Sequence, residues 1–152
     1  MSYRIMALFF SVVLISSCSG LAQQTNSVAD EYQQNFQIWQ QTGWKDYDLI
    51  YQRQCFCLAE VLRKIRVEVR DGKIANAVYA DDGSAIAAEI DYSLKSVSDW
   101  FELIAEAIDR PAEGLQVSYD EMLGFPNSIS IDYYRRMADD EVMVEIFDVI
   151  RK

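Results

Sequence analysis

Three cysteines and a complete absence of histidine bound the chemistry open to this 152-residue chain. Cys55 and Cys57 flank a single residue, Phe56. In an extended strand their Cα atoms would stand about 6.6 Å apart, at the upper edge of the roughly 4.4–6.8 Å a disulfide spans. A bend at Phe56 would close that gap. The pair then reads as a local structural disulfide, or as a strained bond that exchanges with other thiols. No Cys-x-x-Cys at a helix start is present to lower a thiol pKa, so the structural reading leads. A copper site would want neighbouring Met or His, and the pair has neither. Without histidine there is no imidazole base, no Ser-His or Cys-His nucleophile pair and no usual zinc ligand set. The expectation is a non-catalytic protein with no catalytic residue, metal or cofactor.

Two other groups have the residue types for a site. Tyr119-Asp120, followed by Gly124-Phe125-Pro126, would make a rigid loop presenting Asp120 and Phe125 to a partner. Turn chemistry explains the same residues: Gly for an unusual φ, Pro to fix the exit, Asp to accept from nearby amides. The acidic clusters Asp81-Asp82, Asp91 and Asp139-Asp140-Glu141 have oxygens for calcium, but none follows a known calcium-loop spacing. They read as solvated turns. Trp44, Tyr47, Tyr51, Tyr79 and Tyr133 are rings enough for a groove, and core packing accounts for them equally.

The third cysteine belongs to a different motif. Arg4 precedes an apolar run, Ile5 to Ile15, and then Ile15-Ser16-Ser17-Cys18. The run is too short to cross a bilayer, which takes roughly 20 apolar residues. The tetrapeptide resembles the lipobox of bacterial lipoproteins, which implies cleavage before Cys18 and acylation of its thiol. Ser19 at the next position resembles the outer-membrane sorting choice. A competing cut after Ala22, at Gly20-Leu21-Ala22, would release a soluble periplasmic protein. The expected organisation is a signal peptide over 1–17, a polar tether over 18–27 and one globular domain over 28–152. Localisation is the cell envelope, facing the periplasm, with the membrane held through lipid and an envelope protein as the possible partner.

Composition agrees with a single domain. Hydrophobic residues make up 51% of the chain and the net charge is −10, becoming −11 if 1–17, with Arg4, are lost. That charge argues against nucleic acid as a partner and suits basic ones.

The elements that would position these groups follow from periodicity. Ser27-Val28-Ala29-Asp30 resembles a capping box, and Tyr32, Phe36 and Trp39 form the apolar stripe of a helix that Gly43 ends. Asp46 to Cys57 alternates as a strand, with Tyr47, Leu49 and Tyr51 on one side. Arg63 to Arg70 alternates again, Asp71-Gly72 predicts a tight turn, and Lys73 to Ala80 returns. After the Asp81-Asp82-Gly83-Ser84 turn, Ala85 to Leu94 is a loop with a short strand. Ser96 to Asp99 opens a second helix with the stripe Val97, Trp100, Phe101, Ile104, Ala107 and Ile108. Pro111 and Gly114 stop it. Strands follow at Leu115 to Asp120, Ser128 to Tyr134 and, past a turn at Asp139-Asp140, Glu141 to Ile150. The fold class is α+β: an antiparallel sheet of about six strands with two helices on one face, in the order α-βββ-α-βββ. The repeated unit is similar to duplicated periplasmic inhibitor-like and PepSY-like folds.

Three stretches together carry a broader resemblance: the strand into Cys55-Phe56-Cys57; Val67 and Val69 before Gly72; and Val117-Ser118-Tyr119-Asp120, Leu123-Gly124-Phe125-Pro126 and Ile129-Ser130-Ile131-Asp132. Over about Trp44 to Asp148 the chain resembles a family of uncharacterised small bacterial lipoproteins, a domain of unknown function. That resemblance implies location and fold, and brings no activity with it.

Overall fold

A computed structural model describes residues 20–55, 59–110, 112–134 and 141–152. Cys18, Phe56, Cys57, Pro111 and the Asp139-Asp140 turn lie outside them.

Strand β1 (Tyr47–Gln54) shows why alternation makes a sheet here: Tyr47, Leu49 and Tyr51 are buried, while Asp48 and Ile50 between them are not. It pairs antiparallel with β2 (Ile65–Arg70), whose Ile65, Val67 and Val69 are buried on the same face. Asp71 (φ 49°) and Gly72 (φ 74°) both take the left-handed conformation that a two-residue hairpin turn needs, and β3 (Lys73–Tyr79) returns beside β2. Strand β4 (Gly114–Tyr119) pairs with β5 (Pro126–Asp132), β5 with β6 (Val142–Arg151), and β6 with β1. The result is one six-stranded antiparallel sheet in the order β3-β2-β1-β6-β5-β4.

Two helices cover one face. Helix α2 (Val97–Asp109) has a complete capping box: the Ser96 hydroxyl accepts from the Asp99 amide (3.2 Å), and the Asp99 carboxylate accepts from the Ser96 amide (2.7 Å). Its Val97, Trp100, Phe101, Ile104 and Ala107 are buried. Helix α1 (Gly20–Thr42) begins upstream of the expected start at Ser27. Between Leu21 and Thr42 there is no Gly or Pro to interrupt it, and its Gln and Ala residues are good helix formers. The Ser27 box is therefore helix interior.

Two tyrosines of β1 tie the layers together. The Tyr47 hydroxyl accepts from the Val97 amide (3.2 Å), satisfying an N–H that the start of α2 would leave open, and its ring meets Trp39 of α1 edge-on at 5.3 Å. Tyr51 meets Trp100 edge-on at 5.2 Å, and its hydroxyl donates to the Ser93 carbonyl. Burial pushes that hydroxyl up to about 12.

The segment read as a loop with a short strand holds a single bridge, Ala85 to Val78, and a 3-10 helix, Ala88–Ser93. A further 3-10 turn, Ala59–Leu62, precedes β2. The two α-βββ units are not copies related by symmetry. Matching β1 to β4 by translation fails because, three antiparallel steps apart, they run in opposite directions. A two-fold axis through the sheet centre would exchange β1 with β6, not with β4.

Candidate functional site

The loop between β4 and β5 is built as a turn. The Asp120 carboxylate accepts from the Met122 and Leu123 amides (3.0 and 2.7 Å), and the Asp120 amide donates to the Phe125 carbonyl (2.8 Å). Phe125 faces inward, 6% exposed, with its ring edge-on to Trp39 at 6.4 Å. Pro126 is buried too. Tyr119 stacks on Phe101 at 6.2 Å, and its hydroxyl is buried with no hydrogen-bond partner among the described residues. Burial, then the Glu31 carboxylate, pushes that hydroxyl above its ordinary range. The loop seats against α1 through Gly124 (φ 74°): a Cβ there would meet the Asn35 carbonyl oxygen at 2.5 Å. What this loop gives to solvent is Glu121 and Met122, the latter 83% exposed.

The acidic turn after β3 is engaged by a cation. Arg63 pairs with both Asp81 and Asp82 and lies 3.7 Å over the Tyr79 ring. The Asp82 carboxyl is held at about 2, first by the Ser84 hydroxyl and amide and then by Arg63. Cys55, just past β1, is disulfide-bonded. The other two cysteines lie outside the described residues. Of the rings read as groove or core, Tyr47, Tyr51 and Tyr79 are buried, while Trp44 and Tyr133 are half-buried against the core.

Sequence periodicity did not single out the surface that stands out most. No helix lies over the second face of the sheet among the described residues, yet β6, a central strand, carries large apolar side chains there. Met143 is 37% exposed, Phe147 40% and Ile150 56%. Glu145 and Asp148 are interleaved with them. Alternation from the buried Val144 and Ile146 puts Met143, Glu145 and Phe147 on this face, and a register shift then adds Asp148 and Ile150. Ile50 pairs with Asp148 and Tyr51 with Ile146, so Phe147 is an extra residue, a β-bulge. Beside it a groove of about 430 Å³ is lined by Ile50, Gln52, Arg63, Lys64, Phe147 and Asp148 among others. The Lys64 ammonium sits 3.9 Å over the Phe147 ring. One signal was available: strict alternation from Val144 and Ile146 would bury Asp148.

Asp48 anchors the other end of this face. Burial alone would raise its carboxyl. Hydrogen bonds from Lys152 (2.9 Å) and Arg70 (3.0 Å) outweigh that and hold it below the usual range. Among the described residues no three Cys, Asp or Glu gather as a metal-ligating group, and no helix is long and apolar enough to cross a membrane.

The model of a family of unknown function, DUF6174, matches residues 31–151. The chain belongs to that family. No curated protein and no solved structure matches it. The DUF6174 match runs from within α1 to the last residue of β6, and so takes in every strand, α2 and the open face. Cys18 and the segment before it fall outside the DUF6174 region.

Proposed function

We propose that this DUF6174 protein is a lipid-anchored protein of the bacterial cell envelope and a non-catalytic binding module that docks an envelope protein on the open face of its sheet. The observation that carries the reading is the run of Met143, Phe147 and Ile150 along β6, exposed on a face that no described helix covers. Large apolar groups in a row on a central strand mark interaction surfaces far more often than scattered ones do. Glu145 and Asp148 between them make no ion pair within the described residues. With a chain charge of −10, they favour a partner whose apolar centre is flanked by Lys or Arg. The anchor rests on Ile15-Ser16-Ser17-Cys18: acyl chains on Cys18 would hold the domain at a membrane, since each buried methylene contributes about 0.8 kcal/mol.

Two measurements test the two halves. A photo-crosslinking residue placed at Phe147 in intact cells should give one discrete protein adduct. The same residue at Gln34, on the exposed side of α1, should give none. No adduct at Phe147, or the same adduct at both, ends the docking claim. The mass of the mature N-terminus should show an acylated Cys18, and Cys18→Ala should free the protein from the membrane fraction. An intact leader, or an unmodified end after Ala22, removes the anchor.

A second reading starts from the disulfide at Cys55. With Cys57 as its partner, it is either a local staple or an envelope thiol-exchange pair. Redox titration separates them: a potential below about −300 mV marks a structural bond, a higher one an exchanging bond.

A further inference from the structure

On the helix side of the molecule, between α1 and the first turns of α2, lies a cleft of about 200 Å³. Tyr32, Phe36, Trp39, Trp44 and Phe101 line it, and Glu102 is also in its wall. The rings are held by one another. Tyr32 stacks on Phe36 at 5.7 Å, Phe36 tilts on Phe101 at 5.0 Å, and Trp39 meets Trp44 edge-on at 6.0 Å. Tyr32, Trp39 and Phe101 are rooted in the core, while Phe36 and Trp44 are half-buried and Glu102 is exposed. The wall contains no Lys or Arg.

From this composition we infer that the cleft is a binding site for a small organic cation, an alkylated ammonium group, held by aromatic rings and the Glu102 carboxylate. Aromatic π-systems carry negative charge on their faces and attract cations, most strongly ammonium groups whose methyls shed water easily. An anion would find a carboxylate and no compensating cation. A neutral apolar ligand would fit the rings but gain nothing from Glu102. The sign of the field can be read at Tyr32, whose hydroxyl is raised by burial first and by Asp109 and Glu102 next. Overall charge acts the same way: at −10 the chain attracts cations. The volume admits a trimethylammonium head, and the open mouth leaves the rest of a longer ligand in solvent. This site lies on the side of the sheet opposite β6's open face and stands whether or not a partner docks there.

The test uses the full chain at low, fixed ionic strength. Tetramethylammonium and choline are titrated against 3,3-dimethylbutan-1-ol, in which carbon replaces the charged nitrogen of choline. Intrinsic fluorescence reads Trp39 and Trp44, and calorimetry gives the affinity. Both cations should bind saturably and the alcohol at least tenfold more weakly. Glu102→Gln, at an exposed position, should weaken cation binding roughly threefold with unchanged melting. Phe36→Leu, which keeps an apolar filling but gives up ring contacts with Tyr32 and Phe101, should weaken it roughly tenfold while the domain stays folded at the assay temperature. Equal binding of alcohol and choline would make the cleft merely apolar and overturn the inference. So would no saturable response to either cation, or cation affinities unaltered in both variants.

Discussion

Gly124→Ala tests how tightly the β4–β5 loop is locked to α1, and Gly72→Ala is its matched control. Both glycines have φ 74°. At Gly72 nothing lies within 4 Å of the position a Cβ would take. That substitution therefore isolates the cost of placing a side chain in the left-handed region, about 1 kcal/mol. At Gly124 the same backbone cost applies, but the new Cβ meets the Asn35 carbonyl oxygen at 2.5 Å and Ile38 Cβ at 2.8 Å. Neither is the flexible end of a side chain, so α1 must back away by most of an ångström to restore ordinary contact. That movement loosens Trp39 against Phe125 and Tyr47. Overpacking of this kind costs about 1–3 kcal/mol, bringing Gly124→Ala to about 3 kcal/mol in total. Urea unfolding followed by tryptophan fluorescence measures both variants. At about 4 °C per kcal/mol for a domain of this size, the melting point should fall by about 12 °C for Gly124→Ala and about 4 °C for Gly72→Ala. Losses equal within about 0.5 kcal/mol would mean that the loop does not bear on the helix, and the account of Gly124 would be wrong.

Ser96→Ala removes one half of the α2 capping box and should cost about 1 kcal/mol in the same assay. Tyr47→Phe keeps the ring on Trp39 but leaves the Val97 amide without its acceptor. A loss of about 1–2 kcal/mol is expected, and no loss would mean that water replaces the hydroxyl there. Asp48 governs part of the acid response. Its folded pKa is depressed, so the stability it contributes is present above the unfolded carboxyl value, near 4, and is lost as pH falls through the lower folded value. Asp48→Asn should lower stability at pH 7 by about 1 kcal/mol, because its partners are half exposed, and should flatten the decline between about pH 5 and pH 2.

The parts of the fold legible in the sequence were those where one local signal had no competitor. Ser96 and Asp99 supply both halves of a reciprocal cap, and α2 begins there. Asp71-Gly72 offers left-handed conformations at both turn positions, and the hairpin closes there. Ser27 to Asp30 has similar spelling but follows a helix-compatible stretch, so nothing forces the chain to start a helix at that point. Side-chain accounting explains the β4–β5 loop. Asp120 and Gly124 do the turn work their types announce, whereas the inward seating of Phe125 depends on Trp39, some 86 residues away in sequence. The aromatic cleft was invisible for the same reason. Tyr32, Phe36 and Trp39 read as one helical stripe, and only the approach of Phe101 and Glu102 from α2 turns the stripe into a wall.

Phe147 is the residue on which the docking proposal turns, and its exposure admits a purely architectural explanation. Without the bulge, alternation along β6 would carry Asp148 into the core and Val149 out. With it, Val149 is buried and Asp148 faces solvent. Phe147 is thus outside with or without the bulge, which serves to spare the core a carboxylate whose burial without a partner would be costly. If that were its whole significance, any residue would serve at 147, and a polar one best. Phe147→Thr keeps a strand-forming side chain and removes the ring under Lys64. At 40% exposure the domain should lose no more than about 1 kcal/mol, most of it the cation–π contact. A loss above about 2 kcal/mol would make Phe147 a cover over Ile50 and the sheet interior, not a docking side chain. Intact stability together with loss of the crosslink, re-measured from a probe at Ile150, is the combination that only a partner-facing role predicts.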